Sequence, residues 1–88
     1  MDSTSTGTPL VVRYFAAARA AAGVPEETVP GGRSLDRLAD ELAVRHGARL
    51  GTVLEMASFL VDGVAWHDRQ APLPPGATVD VLPPFAGG

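Results

Sequence analysis

The chain ends Leu82-Pro83-Pro84-Phe85-Ala86-Gly87-Gly88, and here residue type and spacing point most directly to chemistry. Gly87 and Gly88 have no Cβ, so another protein's active site can approach their carbonyl carbons closely. Pro83 and Pro84 have no amide hydrogen for a sheet ladder and favour extended polyproline geometry, which predicts a stem projecting from the folded body. Six extended residues span on the order of 20 Å, long enough for the terminus to enter a second protein while the body stays outside. The candidate reactive atom is therefore the carboxyl carbon of Gly88. A carboxylate is a poor electrophile until one oxygen becomes a leaving group, as in an acyl-adenylate. An acyl group activated in that way can accept sulfur as a thiocarboxylate, a route open to a chain with 0 Cys. With 10 Gly in 88 residues, a terminal Gly-Gly pair could be an ordinary frayed end. Its junction with two prolines, the apolar Phe85 and a preceding strand is what makes it a signal.

Other side chains offer less. The absence of cysteine removes disulfides and thiolate metal sites. His46 and His67 are single histidines without paired ligand spacing, expected as a helix-end cation and an exposed turn residue rather than metal ligands. Trp66, the one tryptophan, reads as core or rim, with a partner contact as the alternative. Asp36, Asp40 and Glu41 make an acidic helix face, expected to be solvated, with docking as the alternative. A net charge of −3 and a pI near 5.1 give no electrostatic footprint for nucleic acid. All 7 cationic residues are Arg, so a chain-forming modifier would have only the Met1 amine as an acceptor on another copy. The opening Met1-Asp2-Ser3-Thr4-Ser5-Thr6 lacks a basic flank and an apolar stretch, no run reaches membrane-spanning length, and the expected location is the cytoplasm.

A chain of 88 residues has room for one modest core and little for a walled active-site cavity. Residues 1–9 are Ser/Thr/Gly-rich and read as a disordered tail; the folded domain is expected over 10–82 and the extended tail over 83–88. The run from Leu10 to Phe15 predicts a first strand. Ala16 to Ala22 predicts a short helical connector stopped at Gly23, and Glu26 to Val29 a short edge strand pairing with the first. The clearest element is a helix from Ser34 to His46, with Ser34 as cap, Asp36 in the first turn, Arg45 and His46 in the last, and Gly47 beyond. Its Leu35, Leu38, Ala39, Leu42 and Ala43 form one apolar stripe. Ala48 to Ala57 is ambiguous, because Leu50, Val53, Leu54 and Ala57 have helical spacing while Gly51 and Thr52 weaken it. Ser58 to Trp66 predicts a strand, a turn at Asp62-Gly63, and a short strand holding Val64 and Trp66; Ala77 to Leu82 predicts the last strand, with Val79 and Val81 on one face. A hairpin, a helix laid across a mixed sheet of four to five strands, and a last strand returning to the middle describe an α+β, β-grasp (ubiquitin-like) fold.

The ending Pro83-Pro84-Phe85-Ala86-Gly87-Gly88 resembles the Pro-Pro-x-x-Gly-Gly ending of the small subunit of molybdopterin synthase, within the MoaD/ThiS family of ubiquitin-like sulfur carriers. The segment Tyr14-Phe15-Ala16-Ala17-Ala18-Arg19-Ala20-Ala21-Ala22-Gly23 is similar to that subunit's Phe-Ala-x-x-Arg-x-x-x-Gly stretch. The resemblance implies a carrier without catalytic side chains of its own and without a permanently bound cofactor. An E1-like adenylating enzyme of MoeB type would consume ATP to activate Gly88, a sulfurtransferase would supply sulfur, and the thiocarboxylate would enter the large synthase subunit, of MoaE type. Gly87 would give clearance, Phe85 and Ala86 would pack in the partner's channel, and Pro83 and Pro84 would stiffen the stem. A carrier for thiazole, cysteine or secondary-metabolite synthesis is the nearest alternative; a protein modifier or non-covalent binding module is the alternative of another class.

Overall fold

The computed structural model describes residues 8–83. Its elements run β1 (Leu10–Tyr14), α1 (Ala17–Ala22), β2 (Glu26–Val29), α2 (Leu35–His46), α3 (Ala48–Met56), β3 (Ser58–Val61), β4 (Val64–Ala65) and β5 (Thr78–Leu82). Residues 1–7 of the expected N-terminal tail lie outside the described residues, and Thr8 and Pro9 are exposed. The strands form one sheet in the order β2-β1-β5-β3-β4. The last strand in sequence thus sits in the middle, parallel to β1 and antiparallel to β3, which is the β-grasp arrangement expected.

Strand alternation decides which face of the sheet the helices cover. Leu10, Val12 and Tyr14 of β1, Val79 and Val81 of β5, and Phe59 and Val61 of β3 are all buried in one core with Leu35, Leu38 and Leu42 of α2 and Leu50 and Leu54 of α3. The other face carries Val11, Arg13, Leu60, Asp80 and Leu82, the alternate positions of the same strands.

Local chemistry explains the element ends. The Ser34 side chain accepts the Arg37 backbone N–H at 3.2 Å and starts α2. Gly23, with φ 81, closes α1, its N–H donating to the Arg19 carbonyl at 2.9 Å. Asp62 and Gly63 have φ 50 and 83, the paired positive values of a tight two-residue hairpin turn. The Asp62 carboxylate also accepts the Thr78 N–H at 2.9 Å, tying that turn to the start of β5. The ambiguous stretch is a helix, and Gly51 lies where it meets α2: a Cβ at position 51 would stand 3.2 Å from the Ala43 Cβ, tighter than ordinary contact, so the glycine that lowers helix propensity eases the close approach of α3 to α2. Trp66 falls just past β4 rather than within it, yet its backbone N–H donates to the Phe59 carbonyl at 3.0 Å and prolongs the pairing.

One strained residue was not visible in the sequence. Ala16, between β1 and α1, has φ 52 and ψ −122, a region that glycine tolerates and residues with a Cβ do not. Strain of this kind costs about 1–3 kcal/mol, more than the extra unfolded-state freedom of a glycine, about 0.5–1 kcal/mol. Ala16→Gly should therefore raise stability by about 1 kcal/mol in a urea titration; a drop in the midpoint would contradict the strain.

Candidate functional site

The candidate site is the place where the chain leaves the sheet. Leu82 ends β5 opposite Ser58 of β3, while on the other side Val81 is level with Tyr14 of β1 and accepts the Phe15 N–H at 3.2 Å. The chain thus leaves β5 at the centre of the sheet, between Phe15 and Ser58, with strand pairing on both sides as far as Val81 and Leu82. Pro83, which cannot extend the ladder, follows at once and is half-buried. The other predicted site residues, Pro84, Phe85, Ala86, Gly87 and Gly88, lie outside the described residues.

Around that exit the face of the sheet turned away from the helices presents a mixed surface that reading by residue type alone missed. The Arg13 guanidinium grips Asp80 in a two-point pair, Nε to Oδ1 at 2.7 Å and a terminal nitrogen to Oδ2 at 2.9 Å. Asp80 is buried, and its carboxylate raises the Arg13 pKa further, through the hydrogen bond first and the charge second. The same guanidinium lies 5.7 Å from the centroid of the Phe15 ring, within cation–π range. Phe15 is one of the few large apolar side chains left exposed among the described residues. With half-buried Val11, Leu60 and Leu82, these groups make an apolar surface with one fixed charge pair at the root of the tail. The signal available in sequence was an Arg and an Asp at outward positions of two hydrophobic strands; their meeting depends on a parallel register between residues 67 apart.

The remaining candidates fall elsewhere. His67 is exposed, as expected, and no group of His, Asp and Glu fit to hold a metal occurs among the described residues. The acidic face of α2 is not simply solvated: Asp36 accepts from Arg69 at 2.7 Å and Gln70 at 3.0 Å, and Glu41 pairs with Arg33 and Arg37. Asp40 is exposed. His46 is more than a helix-end cation. It meets Glu27 at 2.5 Å, and the same carboxylate accepts the Tyr14 hydroxyl at 2.5 Å and Arg45 at 2.8 Å. This hub ties β1, β2 and the end of α2 together on the helix side of the sheet. Burial and then the hydrogen bond to Glu27 push the Tyr14 phenol well above its ordinary value. Burial alone would raise the Glu27 pKa, but the hydrogen bonds from Tyr14, Arg45 and His46 outweigh it and hold it below 4.5.

That shift has a sign. A carboxylate whose pKa is lower in the folded state adds stability above its unfolded value, and the gain disappears as pH falls through the folded value. Glu27 should therefore steepen the acid limb of the stability curve below about pH 4.5. Glu27→Gln should flatten that limb and lower the melting temperature at neutral pH; parallel curves for the two proteins would show that the hub is not coupled to folding.

The ThiS family model matches residues 12–88. The chain belongs to the ThiS family. Its relatives by structure place this ThiS-family chain among the ThiS/MoaD-like, ubiquitin-like sulfur carriers. A Pyrococcus furiosus protein described as a molybdopterin converting factor, subunit 1, aligns with a TM-score of 0.75 at 27% identity, over 89% of this chain and 99% of that one. The small archaeal modifier protein 1 of Haloferax volcanii shares the fold with a TM-score of 0.73 at 19% identity, over 90% and 100%. In a complex of subunits 1 and 2 of the Helicobacter pylori molybdopterin-converting factor, a chain aligns with a TM-score of 0.63 at 18% identity, over 92% and 100%. No curated protein sequence matches this ThiS-family chain. No helix among its described residues is long and apolar enough to cross a membrane.

Proposed function

We propose that this chain is the sulfur-donating small subunit of a molybdopterin synthase, with the Gly88 carboxyl carbon as the atom that carries sulfur. An E1-like adenylating enzyme brings ATP, and a Gly88 carboxylate oxygen attacks its α-phosphorus, releasing pyrophosphate. Sulfur delivered at the sulfide level by a sulfurtransferase then adds to the acyl carbon, and AMP leaves with the displaced oxygen. The large synthase subunit accepts the resulting thiocarboxylate and supplies the catalytic side chains while the dithiolene of molybdopterin is built. Gly87 gives clearance at the acyl carbon, Phe85 and Ala86 pack in the partner's channel, and Pro83 and Pro84 stiffen the stem.

The observation that supports this reading is where β5 ends. The chain leaves this central strand beside a sheet face that no helix among the described residues covers, on which Phe15 is exposed and Leu60 and Leu82 are half-buried. A partner can thus bind that face and receive the terminus in one approach. The molybdenum pathway is favoured by the likeness to the Pyrococcus furiosus subunit, at 27% identity over nearly all of that chain. The test is a pyrophosphate-release assay with the cognate adenylating enzyme and ATP, followed by capture of partners on the immobilised chain. Release dependent on Gly88 and capture of the large synthase subunit are expected. Release with no affinity for that subunit would assign the carrier to another sulfur pathway, and conjugation of Gly88 to lysines of other proteins would favour the modifier reading.

A further inference from the structure

The apolar pattern of β1 and β5 does not by itself choose how the two strands line up. Val12 stands level with Val79, and Tyr14 with Val81. A slip of one residue would turn these side chains out of the core. A slip of two in either direction keeps them in, since it sets Val79 opposite Leu10 or Tyr14, both of them buried. What such a slip changes is the opposite face of the sheet. There Arg13 and Asp80 share a rung, and the guanidinium meets both carboxylate oxygens, at 2.7 and 2.9 Å. Asp80 is the one charged residue that is buried among the described residues, and its neighbour on the β3 side is Leu60, which offers the carboxylate nothing. A slip of two residues would set Asp80 opposite Val11 or Phe15 and take the guanidinium off its rung. Leaving a buried charge without its partner is strongly unfavourable, whereas an apolar pair of similar volume is commonly as stable as the ion pair. The pair therefore adds discrimination between registers more than it adds stability.

We infer that Arg13 and Asp80 are positioning residues that fix the register of β5 against β1 and thereby set how many residues extend beyond the sheet. The functional half of the inference rests on the reading of the tail given above. Six residues follow Leu82, and a slip of two would lengthen or shorten the projecting part by about 7 Å, at 3.3 Å per residue. An acyl carbon displaced that far misses a reacting group held in another protein's site. The neighbouring contacts act in the same sense. The Arg13 guanidinium lies 5.7 Å from the Phe15 ring centroid, and the Phe15 N–H donates to the Val81 carbonyl at 3.2 Å, one residue before β5 ends. On the β3 side the start of β5 is held by Asp62, whose backbone N–H donates to the Thr78 carbonyl and whose carboxylate accepts the Thr78 N–H, both at 2.9 Å. An aspartate thus marks the position of β5 on each side, Asp62 toward β3 and Asp80 toward β1.

Moving the guanidinium along β1 tests this. In the Val11→Arg, Arg13→Val double variant the native register leaves Asp80 without its partner, and a slide of β5 by two residues restores the pair. Nuclear Overhauser contacts in the labelled full chain should therefore join Val12 to Val81 in place of Val79. The swapped variant Arg13→Asp, Asp80→Arg keeps a pair on the same rung and should keep the native contacts. Removing the pair, in Arg13→Val, Asp80→Val, should leave the chain folded with a second set of contacts between β1 and β5 beside the native one, and this variant decides the matter if the first does not fold. Native contacts alone in the folded variants that lack the native pair would overturn the inference. In the pyrophosphate-release assay the slide draws two residues into the sheet, so kcat for Val11→Arg, Arg13→Val should fall at least about tenfold, and inserting two residues between Pro84 and Phe85 should bring it back to within about threefold. Loss of stability alone would not be repaired by lengthening the tail, so failure of the insertion to restore kcat would overturn the functional half. No release from the unaltered chain would instead contradict the proposed function, while the cross-strand contacts would still decide the register.

Discussion

Truncating Leu42 to Ala should cost about 2–5 kcal/mol of folding stability, and Leu38→Ala should cost as much. Both leucines lie on the apolar stripe of α2 and are 1% and 2% exposed, Leu38 and Leu42 respectively. They are packed in one cluster with Val12, Val79 and Val81 of the central strands. Removing three carbons from such a position loses the transfer free energy of those atoms and leaves a cavity that tightly packed neighbours fill only in part. The consequence extends to function, because α2 shares its core cluster with β5, the strand from which the tail continues. Denaturant titration with circular dichroism reads the cost directly. A loss near zero in both variants would mean that α2 does not hold the sheet as described.

The second large effect is on chemistry rather than folding. Deleting Gly87 and Gly88 should abolish sulfur loading and leave the melting temperature nearly unchanged. The ladder pairing of β5 ends at Leu82 opposite Ser58, and the buried core has no member beyond Val81 among the described residues. Residues beyond the last pairing have few fold contacts to lose. Loading, by contrast, requires a terminal carboxyl carbon that an adenylating site can reach, and the truncated chain would end on Ala86, whose Cβ crowds that carbon. A fall of many degrees in melting temperature would show instead that the tail belongs to the folded body.

What could be read from sequence was what depends on near neighbours. α2 was legible because Ser34, Gly47 and the leucine stripe are all local signals, and the Asp62-Gly63 turn because two adjacent residues determine its backbone. The terminal chemistry was legible for the same reason, since stem, clearance and carboxyl group are contiguous. α3 was not, because Gly51 counts against a helix until its contact with Ala43 is known. Glu27 looked like one residue of an edge strand; its role as a hub depends on Tyr14, Arg45 and His46 arriving from two other elements. The Arg13–Asp80 pair likewise exists only after β5 has taken its central place beside β1. Side chains whose partners are distant in sequence acquire their meaning from topology.

The central claim is that sulfur is carried on the Gly88 carboxyl carbon, and intact mass spectrometry tests it most directly. After incubation with the adenylating enzyme, ATP and a sulfur source, the chain should gain about 16 Da, the difference between sulfur and oxygen, and peptide mapping should place the gain at Gly88, since no cysteine thiol exists elsewhere. A variant extended by one residue beyond Gly88 should show no gain, because a peptide bond then occupies the carboxyl group that must be activated. The same gain in the extended variant would place the sulfur on another atom and contradict the account.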